Sequence, residues 1–142
     1  MAYDWLISEG NQVPFVASAD IEAGEWVIGT GDGTDTIKPA TSATAALGIA
    51  ATSAYETATP CDYPAGAIPT NYKQVTVYME GIVKASVTAA SGVEVGTKLE
   101  VSNSTTLTET TSTHPTVAIA LDCVTNGSTE TIRVKIVQAQ VA

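Results

Sequence analysis

The side chains best suited to chemistry in this 142-residue chain are one histidine, His114, two cysteines, Cys61 and Cys123, and 15 acidic residues. His114 stands directly before Pro115 in a Ser/Thr-rich stretch and has no Ser, Cys or Asp beside it in a recognisable nucleophile pattern, so it reads as a solvated loop side chain. Cys61 lies in a proline-rich loop and Cys123 follows a strand-like run. Neither belongs to a CxxC pair, so spacing excludes a metal knuckle, and two isolated cysteines in a domain of this size are expected to be free and buried. The acids are spread singly, without a pair that would share a proton. Asp32 and Asp35 in the GTGDGTD segment lack the spacing and the terminal bidentate Glu of a calcium loop, and a turn rich in Asp and Gly accounts for the segment. Gly29 to Gly33 precedes no helix pattern and no Gly-Lys-Ser/Thr, so it is no phosphate cradle. No catalytic site, metal site or cofactor is expected, and the chain is not expected to be an enzyme.

The elements that carry these residues are strands. Hydrophobic residues make up 44% of the chain but aromatic ones only 6%, and charged residues are 15% where about 25% is usual, Thr and Ser filling the polar positions. Thr is β-branched and suits a pleated surface. Turn signals recur at Glu9-Gly10-Asn11, Gly31-Asp32-Gly33, Pro64-Ala65-Gly66, Ser91-Gly92 and Asn126-Gly127-Ser128. Between them Val75, Val77 and Met79 alternate with Thr76, Tyr78 and Glu80, and Ile132, Val134 and Ile136 alternate with Arg133 and Lys135, as in half-buried strands. Only Thr41–Ala51 competes as a helix, through a short turn near Ser42–Ala46, and Leu47–Ala50 reads as a strand.

The chain also repeats itself. Ile37–Ala50 aligns without a gap on Leu107–Ala120, 70 positions on, with Thr41 over Thr111, Leu47 over Val117 and Ile49 over Ile119. Upstream, the segment around Gly24 matches that around Gly96 at 72, and Val75–Met79 matches Ile132–Ile136 at 57. The shorter last separation places an insertion within Tyr55–Lys73, a proline-rich loop holding Tyr55, Tyr63 and Tyr72. Tyrosines of this kind either lid their own barrel or meet a partner. Tyr3, Trp5, Leu6 and Ile7 crowd an N-terminal arm, residues 1–12, ahead of a single β-domain over 13–142; a bulky chain end docks on its own barrel or on a neighbouring subunit. These seven residues are the candidate interface.

The net charge is −9, and the six basic residues look scattered along the chain, which argues against nucleic-acid binding. No apolar stretch approaches the ~20 residues that span a bilayer, and no signal peptide is visible, so a soluble, non-membrane protein is expected.

Taken in order, Ala19–Val27, Leu47–Ala50 and Val77–Val83, then Val95–Leu99, Val117–Ala120 and Ile132–Ile136, resemble the capsid decoration or cement proteins of tailed viruses, including the lambda-type head decoration protein. The chain departs from that family in carrying Glu25 and Thr97 after its turn glycines and in the length of the 55–73 insertion. The resemblance implies an all-β fold, a small barrel of β-tulip or β-clip type built from two similar halves. It also implies a structural virion protein, made in the host cytoplasm, that binds the outside of the expanded capsid as a homotrimer and stabilises it by bridging major capsid protein subunits. A carbohydrate- or receptor-binding β-module, with Tyr63 and Tyr72 stacking on sugars, is the other function the tyrosine-rich loop suits.

Overall fold

A computed structural model describes residues 6–8, 12–54, 74–111 and 113–140, with 6–8 and 138–140 as backbone alone. Every regular element among them is a strand: β1 (Leu6–Ser8), β2 (Gln12–Ala17), β3 (Trp26–Gly29), β4 (Thr36–Pro39), β5 (Gly48–Ala50), β6 (Gln74–Tyr78), β7 (Gly81–Thr88), β8 (Lys98–Asn103), β9 (Thr106–Glu109), β10 (Thr116–Ala120) and β11 (Thr129–Gln140). The Ser42–Ala46 stretch is an irregular turn, not a helical one. Its Ala43 is held at φ 59° while its N–H donates to the carbonyl of Val101 at 2.8 Å, a tertiary contact that overrides the local preference for helix.

The duplication is complete at the level of hydrogen-bonded register. The strands β2-β4-β3-β5-β6 close a barrel, and β7-β9-β8-β10-β11 pair in the same cyclic order, a β7–β9 contact closing the second ring and β1 lying on β7 as an extra edge. In each ring the first and third strands in sequence run parallel, and the other pairs run antiparallel. Val16↔Thr36 becomes Ser86↔Thr106, Val27↔Pro39 becomes Leu99↔Glu109, and Ile49↔Tyr78 becomes Ile119↔Lys135. The separations 70, 72 and 57 met in the sequence are the separations of the ladder itself. Each half therefore closes on itself, so that the barrel expected from two halves is a pair of five-strand rings.

Period-two alternation fills both interiors from the same positions. Ala17, Ile21, Val27, Ile37, Ala50, Ala54, Val75 and Val77 form the core of the first ring. Their counterparts Val87, Val93, Leu99, Leu107, Ala120, Val124, Ile132 and Val134 are buried in the second. Matching turns precede β3 and β8. The amide of Glu25 donates to Glu22 O and that of Thr97 to Glu94 O, both at 3.1 Å, with Gly24 at φ 94° and Gly96 at φ 96°. That is the third position of a type II turn, where a Cβ is disfavoured. The residue after each glycine then accepts the amide three positions back, Glu25 Oε1 from Glu22 at 2.8 Å and Thr97 Oγ1 from Glu94 at 3.0 Å. A carboxylate and a hydroxyl thus do the same work, which is why Glu and Thr both stand there.

The rings are joined by the outer side of the first. Trp26, Ile49 and Tyr78 lie abreast across β3, β5 and β6, point away from their own interior, and belong to the same buried cluster as the second ring's core. Alternation alone puts Tyr78 with Thr76 and Glu80 on a solvent face; it is instead 0% exposed, because β6 is covered on both sides at that point. The amide of Trp26 donates to Ser104 O at 2.7 Å and fixes the contact.

Among the described residues one buried side-chain group is left over. The hydroxyl of Thr110, counterpart of the buried Ala40, has no hydrogen-bond partner. Thr110→Val keeps the shape and removes the desolvated hydroxyl, so it is expected to raise stability by about 1 kcal/mol in urea unfolding. A loss of that size would mean the hydroxyl is satisfied.

Candidate interaction surface

Among the described residues suited to chemistry, His114 and one of the acids meet. His114 is not a free loop side chain: its Nδ1 lies 2.7 Å from Glu100 Oε2, with the carboxylate nearly buried beneath the half-exposed ring. Sequence could not show this, because the two lie 14 positions apart and meet only once β8 has paired. Cys123 is free and exposed, against the expectation of a buried thiol. Val124, next in the chain, pairs with Val93 and turns inward, and alternation sends Cys123 outward. Among the described residues no group of three or more His, Cys, Asp or Glu side chains is placed to hold a metal ion, and no helix is long and apolar enough to cross a membrane.

The carboxylates serve loops. Asp32 accepts from Thr34 Oγ1 at 2.5 Å, Thr30 Oγ1 at 2.7 Å and Thr34 N at 3.1 Å, and these bonds hold its pKa down at about 2. Asp122 grips Arg133 through Nη2 at 2.7 Å and Nε at 3.0 Å and takes the Arg133 amide at 2.9 Å; the guanidinium bonds, then the amide, lower its pKa to about 2. Glu109 closes the β7–β8 connection by accepting three consecutive amides, Ala90 at 2.8 Å and Ser91 and Gly92 at 3.0 Å each. Partial burial pushes its pKa up, but the Ala90 and Ser91 amides outweigh that and bring it to about 2 from 4.5.

Because that folded-state pKa is depressed, the stabilisation from Glu109 is present above the ordinary pKa and lost as pH falls from about 4.5 towards 2. Glu109→Gln is expected to lose about 1–2 kcal/mol at neutral pH in urea unfolding, a figure reduced for solvent screening. The variant should also lose less stability than the parent on acidification through that window. Equal acid sensitivity in the two proteins would contradict the assignment.

What the fold does bring together is surface. Of the five basic residues described, four sit on the outer side of the second ring: Lys84 faces Arg133 across β7 and β11, and Lys98 and Lys135 flank Ile119 across β8, β10 and β11. The basic residues that look scattered along the sequence are thus gathered by strand pairing. On the first ring a groove of about 460 Å³ opens between β2, β3 and the turn into β4, lined by Phe15, Val16, Gly29, Asp35, Ile37 and Leu47 among others. Val16 is 44% exposed there, one of two large hydrophobic side chains, with Val95, left exposed among the described residues.

Of the sequence-predicted interface, Leu6 and Ile7 are placed as backbone in β1, whose Leu6 pairs with Val83 of β7, so this part of the arm lies on the chain's own second ring. Tyr3, Trp5, Tyr55, Tyr63 and Tyr72, the insertion loop and Cys61 lie outside the described residues. Neither the basic face nor the groove was foreseen in the sequence.

Two five-strand rings of identical pairing, fused through one outer face of the first, define a tandem β-ring scaffold. No protein-family profile matches the sequence, and no curated protein matches it. Among solved structures the fold is similar to the crystal structure of the N base of head fiber gp8.5 of bacteriophage phi29, with a TM-score of 0.54 and 17% identity over 93% of this chain and 98% of that one. At that identity the likeness is one of fold.

Proposed function

We propose that the chain is a structural protein of a tailed-virus particle, located on the outer surface of the expanded head. It binds major capsid protein subunits there as a homotrimer, bridges them and stabilises the shell. The observation that carries this reading is the fold likeness to a phage head-fiber base over nearly the whole of both chains. The order of turn and strand motifs and the duplicated framework agree with it. The physics suits the role. Two rings that each close on themselves make a stiff block, and many weak contacts repeated by symmetry strengthen a shell by avidity. In this reading the work is binding and not bond-making, with His114 Nδ1 taken up by Glu100 at 2.7 Å.

The test is to mix purified protein with cognate expanded, undecorated heads and follow co-sedimentation and the temperature of genome release. Saturable binding with a raised release temperature is expected. Failure to bind, with a properly folded protein at saturating concentration, overturns the reading. Deleting residues 1–12 in the same assay asks whether Tyr3, Trp5, Leu6 and Ile7 touch the shell: reduced binding by a chain that still melts cooperatively assigns them to the partner.

A further inference from the structure

Each ring carries the same two surfaces, and among the described residues only one of each is used. The first ring's outer face, Trp26–Ile49–Tyr78, docks on the second ring, where the amides of Trp26 and Ala43 donate to the carbonyls of Ser104 and Val101 at 2.7 and 2.8 Å. The matching face of the second ring is Lys98–Ile119–Lys135, in identical register, and it is open, with both lysines exposed. The matching seat on the first ring is open too. Gly29↔Ile37 there corresponds to Val101↔Leu107, and Leu47 corresponds to Val117; these first-ring residues line the groove described above.

We propose that a second copy of this chain docks its Lys98–Ile119–Lys135 face into the first ring's groove, repeating between copies the contact that joins the two rings within one. The proposal names a self-contact of the particle subunit inferred above, and it is tested without heads. Charge selects this occupant. Lys98 and Lys135 make no ion pair among the described residues, whereas Asp35 lines the groove and Asp32 lies in the same turn. Of the other charged groups nearby, Lys84, on β7 across from Arg133, adds to the basic face, and three are engaged or turned aside. Glu100, two residues from Lys98, is held under His114, and Arg133, two residues from Lys135, is held by Asp122. Lys38 lies two residues beyond Thr36 on β4 and is not among the groove's lining.

The exchange of Trp and Tyr for Lys also fits a contact that must be reversible. An exposed aromatic face would aggregate, while lysine stems lie on apolar surface and carry the ammonium to the rim. A face meeting a different seat is heterologous, so copies join head to tail and either close into a cycle or extend as a filament.

Sedimentation velocity of the full chain, from low micromolar to submillimolar concentration, tests this with two double variants at exposed positions, each checked for an unchanged melting transition. Lys98→Glu with Lys135→Glu breaks the face; Val16→Glu with Asp35→Lys breaks the seat. The unmodified chain is expected to self-associate, less so at high salt. Each double variant alone is expected to stay monomeric. An equimolar mixture of the two should form one-to-one pairs and nothing larger, because one intact face and one intact seat remain. A monomeric unmodified chain at every concentration, association that survives either double variant, or a mixture that does not pair overturns the proposal; head binding that persists alongside any of these leaves the head-binding role standing.

Discussion

Replacing Trp26 with alanine is expected to lower the stability of the chain by about 3–5 kcal/mol, the range for emptying a buried aromatic site. Ordinary domains hold only about 5–15 kcal/mol, so the variant should sit close to the unfolding threshold. The loss should also have a particular form. Trp26 is 1% exposed, yet it contributes nothing to the interior of its own ring; it fills the junction with the second. Its removal therefore attacks the coupling between rings and leaves the first ring's own core of Ile21, Val27, Ile37 and Val77 in place. Urea unfolding followed by far-ultraviolet circular dichroism should broaden or split into two transitions, with a smaller effect for Trp26→Phe. A change within the ~0.5 kcal/mol usual for surface sites would contradict the position of Trp26 at the junction.

Gly48→Ala should be as damaging for a different reason. A Cβ on Gly48 would overlap the carbonyl oxygen of Tyr78 and would stand 2.9 Å from its carbonyl carbon and 3.1 Å from Met79 Cα. These are backbone atoms of the last residue of the paired strand β6 and of the residue after it, and neither strand can retreat without breaking the Ile49↔Tyr78 register that also seats Tyr78 in the junction. A loss of about 3 kcal/mol or more, or failure to fold, is expected, at the upper end of what overpacking produces. The duplicated fold supplies its own control. Ala118 occupies the matching place in the second ring and carries a methyl there, buried at 0% exposure. Ala118→Gly should therefore cost only about 1 kcal/mol, mostly from added freedom in the unfolded chain. Thermal melting of the pair measures the contrast, and equal effects at the two sites would sink the explanation.

Most of the scaffold is readable in the sequence because both its parts are local. Turn glycines such as Gly24 and Gly96 mark a backbone conformation that a side chain resists, and alternating residues such as Ile132, Val134 and Ile136 mark an inward face. A separation that holds over several strands, as 70 does from Val16/Ser86 to Ile49/Ile119, then carries the duplication. What alternation does not carry is which strands meet. Ring closure depends on the β7–β9 contact, made by only two paired positions, Ser86↔Thr106 and Val87↔Leu107. The burial of Tyr78 on its outward side, the Glu100–His114 pair and the gathering of Lys84, Lys98, Arg133 and Lys135 all follow from such pairings. A single sequence states them only after the register is known. The surface was therefore the least legible part, and the arm and insertion singled out for it by their aromatic residues fall largely outside the described residues.

Cryo-electron microscopy of cognate expanded heads incubated with the chain tests the role most directly. The account predicts ordered two-ring density on the outside of the shell, at symmetry-related positions where capsid subunits meet, with occupancy that saturates. Bare shells at saturating concentrations of folded protein would contradict it.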